Sequence, residues 1–122
     1  MDFKALLFSF QGRIGRGPFW IGTLISIGFA IIMNILVMSI GSGVMGSGPN
    51  MLGLILYIIY LVIGIWMGLA IGIKRCHDRG QSGWWLLITL IPVIGFFWWL
   101  INLGILAGDE GENRFGPNPE AR

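Results

Sequence analysis

"GIKRCHDRGQSGWW", residues 72–85, lies between two stretches without charge. No Asp, Glu, Lys or Arg occurs from residue 17 to 73, and none from residue 80 to 108. Lys74, Arg75, Asp78 and Arg79 fall between them, together with Cys76 and His77. A bilayer core needs about 20 apolar residues per spanning helix. The run before the motif is therefore long enough for two spans, and "GSGVMGSGPN" (41–50) breaks it with glycines, serines and a Pro-Asn turn pair. The motif reads as the charged end of the second span. The fold class that follows is all-α, a polytopic integral membrane helical bundle with about three hydrophobic segments.

The expected division is one membrane domain over 1–122. It has an arm at 1–17, a first span at 18–40, an external loop at 41–50 and a second span at 51–76. A loop at 77–83, a third segment at 84–107 and a polar tail at 108–122 follow. Orientation follows the Lys and Arg bias of cytoplasmic loops. Lys4, Arg13 and Arg16 precede the first span, Lys74, Arg75 and Arg79 follow the second, and residues 41–50 carry none. The N-terminus is therefore expected in the cytoplasm. The early segment "FKALLFSF" (3–10) suits an interfacial helix. No cleavable signal is expected, because the first long apolar run exceeds a signal's apolar region and no small-residue cleavage site follows.

The third segment, "WWLLITLIPVIGFFWWLINLGILAG" (84–108), leaves two readings open. Pro92 and Gly95 kink a single span, or the chain folds back at "PVIG" as two short helices. The fold-back leaves backbone groups unpaired at depth, which is tolerated only under protein cover.

Composition agrees with a membrane protein. Of 122 residues, 55% are hydrophobic and 11% charged, more apolar surface than a soluble domain this small can hide. The net charge of +2 gives no reason to expect nucleic acid. One Cys rules out an internal disulfide. Gly22, Ser26 and Ala30 on the first span, and Gly64, Gly68 and Gly72 on the second, form small-residue stripes that allow close helix approach. They suit packing within the chain first, and a homo-oligomer second. Asn34 and Asn102 are polar side chains expected to bond across helix contacts.

The charged motif offers little chemistry. His77 and Asp78 are adjacent on a helix and do not face each other. Cys76 and His77 have no second Cys or His to complete a metal site. Arg75 and Lys74 have pairing distance to Asp78, and Gly80 suits a helix C-cap. No ionisable group falls inside the apolar runs, where proton-coupled transporters need one, and no nucleotide or hydrolase motif occurs. No catalytic residue, metal or cofactor is expected.

Three stretches together carry a resemblance: "FSFQGRIGRGPFW" (8–20), "KRCHDRGQSGWWLLITLIPVIG" (74–95) and "GENRFGPNP" (111–119). They resemble the bacterial inner-membrane family known as domain of unknown function 805. The match runs through Gly12, Arg13, Arg16, Phe19 and Trp20. It continues at Arg75, His77, Asp78, Gly80, Ser82, Gly83, Trp84 and Trp85, and ends on Glu112, Asn113, Arg114 and Gly116. A Ser-Glu pair common before Phe-Trp in the family is Gly17-Pro18 here. The resemblance implies fold and membrane location, and no activity. It also implies that the three polar motifs meet. The candidate site is thus a cytoplasmic cluster of Arg13, Arg16, Arg75, His77, Asp78, Arg79, Glu112 and Arg114. Its expected partners are anionic membrane lipids or a protein, in a non-enzymatic role. The alternatives are a small oligomeric transport or channel component, and an enzyme using His77 and Asp78 at headgroup level.

Overall fold

The computed structural model describes residues 3–41 and 51–119. Nearly all of the loop expected at 41–50 lies outside the described residues. The protein is all-α. Helix α1 spans Phe3–Phe8, α2 spans Arg16–Gly41 and α3 spans Met51–Asp78. A 3₁₀ helix follows at Gly83–Leu90, then α4 at Ile94–Trp98, which continues in π form over Trp99–Ile105. At 1.5 Å per residue, the 26 residues of α2 and 28 of α3 reach about 39 and 42 Å. Both are long and apolar enough to cross a membrane. The apolar helix Ile94–Ile105 is shorter, 12 residues or about 18 Å in α form, against a hydrocarbon core of about 30 Å.

The first helix of the bundle, α1, packs on α3 and buries Leu6. Helix α2 begins at Arg16, two residues before the expected 18. Pro18 sits in its first turn, where a missing N–H costs nothing. Helix α3 runs to Asp78, two residues past the expected 76, so Lys74, Arg75 and Asp78 stand on its last turns. It ends on Gly80 at φ +74°. The Gly80 amide donates to the His77 carbonyl (3.0 Å) and the Gln81 amide to the Cys76 carbonyl (2.9 Å). This is the paired bonding of a Schellman stop, which needs a left-handed residue and so favours Gly.

The chain reverses after the 3₁₀ helix. Val93 takes φ +67° and ψ −61°, and the Ile94 amide donates back to the Pro92 carbonyl at 2.7 Å. That is a γ-turn, a rare and strained conformation for a β-branched residue. Gly95 then packs directly on backbone: a Cβ there would lie 2.5 Å from the Ile88 carbonyl oxygen. The 3₁₀ helix lies against α3, where Leu86 fills the space over Gly72, and α4 with its π extension returns beside α2.

The small core sits where these elements converge. Phe19, Ile71, Cys76 and Leu103 are buried together, flanked by Trp20, Leu86 and Trp99. Elsewhere α2 and α3 are coated with exposed Leu, Ile and Met, as lipid-facing helices are.

The small-residue stripes divide their work. Gly22 meets Ile71, so it does lie against α3. Ser26 and Ala30 line shallow grooves with Gly64 on one side and Gly68 on the other. Gly68 faces open space, and Gly72 packs on the 3₁₀ helix rather than on α2. Asn34 Nδ2 donates to the Tyr60 hydroxyl at 3.1 Å, across the α2–α3 contact.

Candidate functional site

The last turns of α3 act as a hub for backbone carbonyls. A helix end leaves four C=O groups without intrahelical partners, and three helix ends meet here. At the end of α1, Lys74 Nζ donates to the Leu6 carbonyl at 2.6 Å and also to that of Ala5. The indole of Trp66 takes the Phe8 carbonyl at 2.8 Å. So Lys74 turns its ammonium to the end of α1.

The π segment ends in the same way. Arg75 Nε donates to the Leu103 carbonyl (2.7 Å) and its Nη2 to that of Leu106. Trp20 Nε1 takes Gly104 (2.9 Å), Arg16 Nη1 takes Ile105 (3.1 Å) and Arg79 Nη1 takes Ala107 (2.6 Å). Five successive carbonyls, 103 to 107, thus each receive a side-chain donor. Cations suit this end because the helix dipole is negative there.

The end of α3 is closed by chain from both flanks. The Ile14 amide bonds the Lys74 carbonyl (3.4 Å), and the Asp109 amide bonds the Asp78 carbonyl (2.7 Å). Asn113 Nδ2 donates to the His77 carbonyl (2.9 Å). Gly108 threads so close to Asp78 that a Cβ would collide with its carboxylate.

Among the described residues Asp78 is the only buried carboxylate. Its Oδ1 pairs with Arg13 Nη2 at 2.9 Å and its Oδ2 with Arg75 Nη1 at 2.7 Å. Arg13 is 8% exposed, Arg75 0% and Asp78 2%. Buried charge is expensive unless paired and hydrogen-bonded, and here the pairing is complete. Arg13 Nε donates to Asp78, Nη1 to the carbonyls of Gly111 (2.8 Å) and Gly116 (2.9 Å), and Nη2 to those of Asp78 (3.5 Å) and Asp109 (2.8 Å). These occupy all five N–H donors of a guanidinium. Two arginines face one carboxylate, and the carbonyl ends of two helices offset the extra positive charge. Among the described residues no buried side-chain nitrogen or oxygen lacks a partner.

The tail folds to fit this centre. Asn113 and Gly116 exchange two backbone bonds of 3.0 Å, and Asn113 Oδ1 accepts the Phe115 amide at 2.9 Å. That turn lays Phe115 flat on His77, with ring centroids 3.9 Å apart and planes 5° from parallel. His77 Nδ1 is 2.9 Å from the Gly12 carbonyl. A carbonyl only accepts, so the proton of that bond sits on Nδ1.

The structure thus brings together Arg13, Arg16, Arg75, His77, Asp78 and Arg79 from the expected cluster. Glu112 and Arg114 stand outside it. Both are exposed, Arg114 lies over the Phe115 ring at 4.7 Å, and neither joins the ion pairs. The reason is local: the 113–116 turn points its backbone inward and its charged side chains out. Sequence reasoning missed Trp20, Trp66, Lys74, Gln81, Asp109 and Gly111 as parts of the network. Most act through, or upon, backbone carbonyls, which no residue type encodes. Gln81 is the exception, accepting from Asn102 Nδ2 at 2.8 Å. Among the described residues no three His, Cys, Asp or Glu come together as metal ligands would.

Residues 7–117 match the model of the family described as "Protein of unknown function (DUF805)". The chain is similar to "Inner membrane protein YhaH" of Escherichia coli strain K12, 38% identical over 91% of this chain and 87% of the relative. "Inner membrane protein YhaI" of the same strain is 33% identical over 91% and 86%. "Uncharacterized protein YiiR" is 29% identical over 98% and 92%. No solved structure matches.

Proposed function

The chain belongs to the DUF805 family and is an inner-membrane protein, and on that premise we propose a non-enzymatic role in which its charged end binds anionic lipid headgroups. In this reading α2 and α3 cross the bilayer, and segment 83–105 enters it and turns back. The charged end, with both termini of the described chain, lies in the cytoplasm, as the Lys and Arg bias requires.

One observation carries the non-enzymatic part: the groups that would do chemistry are held by the fold. Every Arg13 donor is on a protein acceptor, Asp78 bridges two arginines, and His77 is fixed between the Gly12 carbonyl and the Phe115 ring. Among the described residues no acid–base pair lines a cleft. Arg13 and Arg75 are clasps for the tail and the returning segment rather than lipid ligands. What remains for lipid is the rim. Arg16 and Arg79 are half-buried, and Arg79 Nη2 makes no bond among the described residues. Each cation beside an anionic leaflet contributes about 1 kcal/mol.

The test is lipid retention. Wild-type and Arg16→Gln/Arg79→Gln proteins are purified in mild detergent and their phosphatidylglycerol and cardiolipin quantified. A loss of at least threefold in the double variant is expected, with thermal stability lowered by no more than about 1–3 kcal/mol for the two carbonyl bonds. Equal retention overturns the lipid reading.

A further inference from the structure

The folded-back segment is about as deep as one leaflet. Its first arm, the 3₁₀ helix, has 8 residues, about 16 Å at 2.0 Å per residue. Its second arm, Ile94–Ile105, has 12, about 18 Å in α form. Half of a hydrocarbon core is about 15 Å. Leu90, Val93 and Ile94 are exposed at the tip between the arms, and no charged residue occurs from residue 80 to 108. Entered from the charged end, the segment reaches the middle of a bilayer with an apolar tip and turns there.

Contacts keep it beside one end of the spans. Leu86 lies over Gly72, and a Cβ on Gly83 would be 3.0 Å from Ile73. Leu90, at the far end of the 3₁₀ helix, shares a groove with Leu69. On α2, Trp20 holds the Gly104 carbonyl, and Phe19 packs on Trp99 with ring centroids 5.3 Å apart. The arm before α2 adds Leu6 beside Gly22 and Phe10 stacked on Trp66 at 4.7 Å. On α3 these contacts fall within residues 66–78, about 18 Å of helix. Residues 51–65 of α3 have α2 beside them and otherwise expose apolar side chains. The two leaflets therefore meet unequal cross-sections. A helix 10–12 Å across occupies about 80–110 Å² of membrane plane, so the two arms add about 160–220 Å². All of it lies in the leaflet at the charged end.

A leaflet with more area than its partner relaxes by curving with its own side outward. We propose that segment 83–105 is a one-leaflet wedge, and that the protein recognises membrane curved so that the leaflet at its charged end is convex. The partner is a lipid surface defined by its shape, and headgroup charge takes no part. The inference rests on the fold-back proposed above and is independent of headgroup binding.

The full chain, with Cys76→Ala and a fluorophore on Asn118→Cys, is reconstituted in giant vesicles of phosphatidylcholine alone. A thin membrane tube is pulled outward from each vesicle, so that the outer leaflet of the tube is convex. A membrane-impermeant quencher then distinguishes molecules with the charged end outside from those with it inside. Outward molecules should be at least twofold denser in the tube than on the vesicle, and inward molecules at least twofold sparser. Equal density in tube and vesicle, or the same preference in both orientations, overturns the wedge. A nitroxide on Val93→Cys, again with Cys76→Ala, reads the depth of the tip from its collisions with dissolved oxygen and with a water-soluble nickel chelate. Oxygen should dominate. An oxygen-dominated tip without sorting overturns the wedge and leaves the fold-back standing, whereas a nickel-dominated tip overturns both. Headgroup binding fails or holds separately, because these vesicles contain no anionic lipid.

Discussion

The two ends of the long helices are built on opposite principles. At the charged end, α2 and α3 are surrounded by α1, the returning segment and the tail. Among the described residues, every buried side chain lies there, between residues 6 and 19, 67 and 78, or 102 and 103. At the other end, residues 27–40 and 51–65 expose many apolar side chains, and among the described residues the Asn34–Tyr60 bond and the Phe29–Tyr60 ring contact join the two helices. Lipid tails are as apolar as leucine, so no hydrophobic force draws those halves together. The contrast teaches that the bundle is held at one end, where hydrogen bonds to backbone carbonyls and the Arg–Asp ion pairs surround the small core of Phe19, Ile71, Cys76 and Leu103.

The sharpest way to break the comparison is all-or-none. With Cys76→Ala and a cysteine at Asn118, a membrane-impermeant thiol reagent applied to intact cells should leave the tail unlabelled and label it after lysis. Labelling in intact cells would separate the tail from the cytoplasmic side and end the proposed topology.

The next effect is energetic. Asp78→Ala strands two buried guanidinium groups, which costs about 3–5 kcal/mol by the precedent of broken buried pairs. Ile31→Val on the bare half should stay within about 0.5 kcal/mol. Thermal unfolding in detergent reads both, and equal losses would remove the distinction between the ends. Gly104→Ala should cost about 1–3 kcal/mol, because the new methyl would lie 2.5 Å from Trp20 Cζ2 and displace the indole from its carbonyl. Intrinsic fluorescence should shift in parallel.

Two smaller effects sharpen the picture. Val93→Gly relieves a strained turn and should raise stability by about 1 kcal/mol, the low end of such strain. A loss instead would mean that the turn is not strained. Asn34→Leu removes the bond to the Tyr60 hydroxyl and should cost about 0.6 kcal/mol. A cost above that of Gly104→Ala would show that the bare half is held more tightly than its contacts imply.

Much of this was legible in sequence. The apolar runs and their charge-free lengths announced two long helices, because lipid exposure demands continuous apolar surface. Gly80 announced a stop, because only a left-handed residue closes that turn. The arginines and Asp78 were legible as a set, but their use was not. Arg75 and Asp78 are three apart on one helix, whereas Arg13 and Asp78 are separated by 65 residues. That pairing needs the whole bundle.

The sequence by itself determined the class, the two long membrane helices and the location of the charge, since hydrophobicity and charge act residue by residue. Only the tertiary structure decided which carbonyl each cation takes, that Glu112 and Arg114 stay outside, and that the last apolar segment turns at Val93. Those outcomes depend on backbone groups that every residue shares, and their positions exist only once three helix ends have met.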